Sequence, residues 1–367
     1  MKRLLGIASI LMLCTVSLVN AQHGTTIALQ SDTQIFSGLA YNQATNTLMV
    51  SSSTDGHIYS VGVDGSLTPV IQSEELTSAD AISIDKATNR LYAVSSTFGG
   101  GRGPGQGFNG APPEGMTPPE GMTPPEGAPN NGGAPPDGAT NGETPSEGFP
   151  ADGQFPAAEA TLYAFDLATG TSVFQVNLTQ IAPNGGGFIG QMTLDAAGNL
   201  YITDSAASAV YRIDSSGSPT YLSDSNFQAQ QQQGRGMAMG IRGLAYDGTN
   251  LLVSKMSDGS LYRINLSDGS VQAVQISDAP ASLGELAMLA DGRLAALDRM
   301  NAKVVTLSSS DQWQTAQVSS SLDISAGASA ITAYDNTVYI LESNQTVDNG
   351  EQGTPVTPQF SIVSYTL

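Results

Sequence analysis

Gly190–Ser205, GQMTLDAAGNLYITDS, is the stretch whose reading decides the fold. A short apolar strand (Gln191–Leu194) runs into Asp-Ala-Ala-Gly-Asn, a turn composition that favours left-handed backbone. A second apolar strand, Leu200–Thr203, follows at once. Such a pair reads as one antiparallel hairpin. The same pattern recurs as FSGLAYNQATNTLMVSS (36–52), DAISIDKATNRLYAVSS (80–96), RGLAYDGTNLLVSKM (242–256), GELAMLADGRLAALDR (284–299) and SAITAYDNTVYILES (329–343).

Taking the first apolar residue of each second strand as a marker gives Leu48, Leu91, Leu200, Leu251, Leu294 and Val338. Successive markers lie 43, 109, 51, 43 and 44 residues apart. A four-stranded blade needs about 40–50 residues. Third strands follow each hairpin, such as TLYAFDLATG, AVYRIDSSG and SLYRINLSDG, and fourth strands follow those, such as SVFQVNL and SVQAVQI. The expected fold is all-β: one six-bladed β-propeller over residues 22–367, with four antiparallel strands per blade. The sixth repeat ends at Leu367 without a fourth strand, and TTIALQS (25–31) has the length and character to supply it. That closure would remove an exposed sheet edge.

One interval is long because residues 97–158 interrupt the second blade between its second and third strands. This insertion contains PPEGMTPPEGMTPPEG (112–127), lacks apolar residues to bury, and is expected to be disordered or polyproline-like. It is also expected to leave from the face bearing the channel mouth. A smaller loop of similar kind is expected around Gln230–Gln233.

Residues 1–21 read as a secretory signal: Lys2 and Arg3, an apolar run from Leu4 to Val19, and the small-x-small site Val19-Asn20-Ala21. Export to the periplasm or outside the cell, with cleavage after Ala21, is the expectation. Cleavage would remove Cys14, the sole cysteine, and with it any disulfide or thiol chemistry. The formal net charge is −20, and losing Lys2 and Arg3 makes it more negative by two. Such a surface repels nucleic acid and anionic lipid. With only two histidines, a zinc site of several imidazoles is not expected.

GNLYITDSAASAVYRID (198–214) resembles an NHL repeat. The six-repeat layout as a whole resembles the superfamily that holds senescence-marker/gluconolactonase (regucalcin-like) enzymes, strictosidine-synthase-like proteins and NHL propellers. The resemblance implies a propeller, and in its lactonase branch a divalent cation held at the channel mouth by residues at the starts of first strands. Here those entries read Phe36-Ser37-Gly38, Ala79-Asp80, Gly190-Gln191, Ile241-Arg242, Gly284-Glu285 and Ala328-Ser329. Phe36-Ser37 stands where a lactonase would carry Glu, and Arg242 brings a positive charge. The ligands left for a metal are Asp80, Gln191 and Glu285.

Propeller geometry puts a second set near the same face, four residues after each marker: Ser52, Ser95, Asp204, Lys255, Asp298 and Glu342. Asp80, Gln191, Asp204, Arg242, Glu285, Asp298 and Glu342 are therefore the channel-face candidates. An acidic rim could offer the oxygens that Ca²⁺ takes, or be only a solvated surface. Two functional expectations stand side by side. One is a non-catalytic, monomeric exported propeller that binds a small molecule or protein partner on its channel face. The other is a Ca²⁺-dependent lactonase or related hydrolase.

Overall fold

A computed structural model describes residues 22–31, 33–97, 159–182, 186–228, 240–344 and 359–367. The signal segment, the insertion beyond Thr97 and the Gln230–Gln233 loop lie outside the described residues. So does the separate unit 102–156.

Six sheets occupy the six predicted repeats, the first four with their strands in simple chain order. The first strands are Phe36–Asn42, Ala81–Asp85, Ile189–Leu194, Ile241–Tyr246, Leu286–Met288 and Ala328–Tyr334. Each packs beside the next, and the sixth packs beside the first, so the blades close cyclically around a central channel. The sixth sheet runs Gln22–Ala28, Phe360–Thr366, Thr337–Ser343, Ala328–Tyr334. The N-terminal strand pairs antiparallel with the C-terminal one, Thr26 opposite Val363 and Ala28 opposite Ser361. The chain's two ends thus build one blade, as the repeat arithmetic requires.

Every first-to-second-strand turn contains a residue in the left-handed region: Asn46, Asn89, Gly198, Gly248, Gly292 and Asp335, with φ between 52° and 99°. Only Gly, Asn and Asp adopt this conformation cheaply, which explains why the six turns share that composition. Second strands read as unbroken apolar runs because neighbouring blades cover both of their faces. Leu200–Asp204 and Leu294–Asp298 are buried at every residue.

The apolar core is divided into six layers, one between each pair of adjacent blades. At the closing interface Phe36 meets Phe360 edge to face at 5.4 Å, and Tyr41 stacks on Tyr334 at 4.4 Å. Aromatic pairs of this kind add about 0.5–1.5 kcal/mol beyond the area they bury. They strengthen the one interface that joins distant parts of the chain.

The fifth sheet has an additional short strand. SVQAVQI, expected as one fourth strand, divides after Ala273. Val271–Ala273 completes the fourth blade, while Gln275–Ser277 pairs in parallel with Thr315–Gln317 of the fifth. Val274, buried between them, turns the chain across the blade boundary.

Candidate functional site

The first strands line a central cavity of about 320 Å³. Its polar end lies at their starts, where Ser37, Asp80, Gln191, Arg242, Glu285 and Ser329 line it, and Arg299 joins them. A backbone feature sets this end. In blades one, three and four the first strand bulges near its start, between Phe36 and Gly38, Ile189 and Met192, and Ile241 and Leu244. In each, a second-strand hydroxyl receives the displaced N–H: Ser51 from Gly38 (3.0 Å), Thr203 from Gln191 (2.9 Å) and Ser254 from Gly243 (2.9 Å). Thr203 and Ser254 donate onward to carbonyls of the following blade, Arg242 and Gly284. These bonds fix Arg242 and Glu285 relative to each other.

Arg242 Nε donates to Glu285 Oε1 at 2.7 Å, and Arg299 Nη1 reaches the same oxygen at 3.5 Å. Glu285 Oε2 is buried without a hydrogen-bond partner. Burial acts to raise the Glu285 carboxyl, but the two guanidiniums and the Arg242 hydrogen bond outweigh it and hold its pKa below the usual value. Burial lowers the Arg299 pKa, Glu285 opposes that, and Arg242 adds to it. The cluster is a glutamate between two arginines, and with Asp80 lining the same end of the cavity its carboxylates and guanidiniums are equal in number.

Gln191 forms a floor beneath it. Its Oε1 accepts from Leu244 N (2.9 Å) and Leu286 N (2.8 Å), and its Nε2 donates to Leu286 O (2.7 Å). One amide therefore ties blades three, four and five. Leu286 follows Glu285 directly and Leu244 lies two residues beyond Arg242, so the floor lies about 3–7 Å deeper along the strands.

The other acidic candidates are committed to local structure. Asp80 accepts from Ser96 N (3.0 Å), Ser96 Oγ (2.6 Å) and Ser78 Oγ (3.2 Å). Asp204, Asp298 and Glu342 stand one strand outward and do not line the cavity. Asp204 accepts from Gly187 N, Tyr211 Oη, Ala206 N and Ala207 N. Burial and the Asp204 charge push the Tyr211 hydroxyl far above its ordinary pKa. Asp298 is capped by Asn301 N and Nδ2, and Glu342 accepts from Ser325 N. Lys255 Nζ pairs with Asp258 at 3.1 Å. The structure thus brings together Asp80, Gln191, Arg242 and Glu285, and leaves Asp204, Asp298 and Glu342 apart.

Arg299 was not expected at the site. Side chains alternate along a strand, so the residue after Asp298 turns to the other face, and only a long side chain there reaches the channel. The equivalent positions hold Ser53, Ser96, Ser205, Met256 and Ser343, which makes Arg299 the sole cation of that row and the available sequence signal.

The donor set does not suit the divalent cation that the lactonase resemblance implies. Ca²⁺ takes six to eight oxygens. Glu285 offers an oxygen already held by two cations, and the Gln191 oxygen is saturated by backbone N–H groups. Among the described residues no three His, Cys, Asp or Glu side chains converge. Nor, among the described residues, does the His57 side chain have the serine partner that a Ser-His-Asp nucleophile would need. It lies 3.4 Å from Asp55 and 3.3 Å from the Tyr59 hydroxyl, while Ser52 Oγ accepts from Thr54 N and Asp55 N.

No family model and no curated protein matches the sequence. Solved structures do match in fold. The major allergen Mala s 1 of Malassezia sympodialis aligns with a TM-score of 0.58 at 13% identity, over 93% of this chain and 95% of its own. A gluconolactonase from Xanthomonas campestris gives 0.52 at 14% identity, over 90% and 86%. Virginiamycin B lyase from Staphylococcus aureus gives 0.51 at 15%, over 95% and 100%. The chain therefore has the six-bladed β-propeller fold expected from its resemblance to the gluconolactonase and NHL-type superfamily.

Proposed function

We propose that this protein is an exported, non-catalytic propeller that holds a small ligand at the polar end of its channel. The observation that carries this reading is the neutralisation of Glu285 by Arg242 and Arg299. A carboxylate held between two guanidiniums and kept ionised is a poor metal ligand and a poor general base. The same guanidiniums are well placed to receive a polar guest. The cavity volume of about 320 Å³ is at the lower end of small-molecule sites, which span about 300–1,000 Å³. It favours a small molecule over a peptide or protein surface.

Calcium titration followed by thermal unfolding tests this against the hydrolase alternative. A cation bound only by the folded state, at 100 times its Kd, would add about 2.7 kcal/mol. The expected result is no shift in the midpoint and no turnover of a lactone panel. A calcium-dependent rise, with lactone hydrolysis lost in Asp80→Ala or Glu285→Gln, would overturn the proposal.

A further inference from the structure

Blades three and four carry the same Asp–Asn pair at their first-to-second-strand turns, and only one of the two pairs is complete. In blade three, Asn199 Nδ2 donates to Asp195 Oδ2 (2.7 Å), and Asn199 Oδ1 accepts from Arg212 Nη2 (2.7 Å). In blade four, Asn250 Nδ2 donates to Asp247 Oδ2 (3.0 Å), and Arg263 holds the register position of Arg212. Arg263 turns away instead, donating to Gln312 O (2.8 Å) and to Gln272 Oε1. Asn250 is only 4% exposed, yet among the described residues its Oδ1 receives no hydrogen bond.

Gln312 and Trp313, on the hairpin between the third and fourth strands of blade five, both occupy the left-handed region, at φ 60° and 63°. Bulky residues adopt that conformation at a cost, and it persists where the surroundings over-determine it. Here Ser309 Oγ accepts from Trp313 N (2.9 Å), and Asp311 Oδ1 accepts from Thr315 N (3.0 Å). The indole is thereby set beside Asn250. Both line one notch of about 190 Å³ between blades four and five, with Asp247, Thr249, Met288 and Gln312. Trp313 is only 5% exposed, and among the described residues its indole N–H has no acceptor. Neither that nitrogen nor Asn250 Oδ1 is sealed from solvent. Two buried side chains thus present an unused donor and an unused acceptor to one space. The notch shares only Met288 with the channel.

We infer that this notch is a second ligand site, built for a single neutral sugar ring. Among the described residues no cation lines it, so nothing there calls for an anion. The Asp247 carboxylate is taken up by Thr249 N, Asn250 N and Asn250 Nδ2, which leaves it poorly placed to hold a metal ion. A hydroxyl both donates and accepts, so neighbouring sugar hydroxyls answer the indole N–H and the Asn250 oxygen together. The volume lies below the range of about 300–1,000 Å³ typical of small-molecule sites, which suits one ring and not a longer chain. A Cβ added at Gly248 or Gly292 would meet nothing within 4 Å, so the side toward solvent is open.

Trp313 is the sole tryptophan, so its emission reads this site alone. The test is a fluorescence titration of the intact protein with glucose, galactose, mannose and N-acetylglucosamine, each free and as its two methyl pyranosides. N-methylacetamide and glycerol serve as non-sugar probes. At least one sugar is expected to change the emission saturably, at a concentration at least tenfold below either non-sugar probe. By calorimetry, Trp313→Phe, which removes the N–H and keeps an aromatic ring, should weaken that sugar at least tenfold with little change in thermal midpoint. Thr249→Arg, at an exposed position on the rim, should do the same by filling the notch, and it decides the question if Trp313→Phe does not fold. Binding of a methyl pyranoside identifies the end of a sugar chain as the source, and binding of the free sugar without either methyl form identifies a monosaccharide. No saturable response to any sugar, tighter binding of N-methylacetamide, or undiminished binding by the folded variants overturns the assignment. The channel reading stands or falls separately, on the calcium titration.

Discussion

At the residue scale, three long side chains from two blades decide the character of the channel mouth. Arg242 and Glu285 are both buried, and removing one member of such a pair leaves the other charged without compensation. Arg242→Met should therefore destabilise the protein by about 3–5 kcal/mol, measured by urea unfolding at pH 7. Acid titration supplies the sign. The folded pKa of Glu285 is depressed, so its contribution is complete above the unfolded carboxyl value of about 4.3 and is lost as the pH falls through the folded value. The penalty of Arg242→Met should accordingly shrink below pH 4. Equal penalties at pH 7 and pH 3 would show that the guanidinium acts through packing alone.

At the element scale, the site depends on where first strands bulge, and a single hydroxyl position tracks that. Ser51, Thr203 and Ser254 stand three residues after their markers in the bulged blades one, three and four. Blades two and five hold Val94 and Leu297 there, and their described ladders run without a shift. Blade six is the exception: it is bulged with Leu341 at that position, and the Ser329 hydroxyl of its first strand donates to Leu341 O rather than accepting an N–H. A bulge exposes an N–H that must find a partner, and the hydroxyl provides one. Ser254→Val should strand Gly243 N and Gly284 O in a buried setting. The expected cost is about 1–3 kcal/mol by chemical denaturation, with weaker binding at the adjacent Arg242–Glu285 pair. Val94→Ser, in an unbulged blade, should cost stability with no effect on binding.

At the scale of the whole molecule, stability is shared among six interblade layers, and the ring tolerates additions wherever both ends of a loop are held. Thr97 N donates to Glu159 O at 2.9 Å, and Glu159 N donates to Thr97 Oγ1 at 2.9 Å. The ends of the insertion thus meet as an ordinary hairpin. Replacing residues 98–158 with a two-residue Asn-Gly turn should raise stability by about 2 kcal/mol from loop-closure entropy alone. Far-UV circular dichroism of the strands should be unchanged. A loss of cooperative unfolding would show that the ring depends on the inserted segment.

The sequence by itself determined the number of blades, the hairpins and the closure by the chain ends. Each of these rests on local rules: apolar runs of strand length, turns that require a left-handed residue at Asn46, Gly198 or Asp335, and a sixth repeat one strand short. It also placed Asp80, Gln191, Arg242 and Glu285 at one end of the channel, because blade geometry repeats with the chain. Tertiary structure alone decided what those residues do. The sharing of Glu285 by Arg242 and Arg299 depends on two blades meeting at a particular offset and on a bulge turning one side chain inward. The recruitment of the Gln191 amide to the backbone of two other blades likewise depends on the width of the closed ring. Charge on a repeat is a local property, whereas the partner that neutralises it lies tens of residues away and is fixed only when the blades pack.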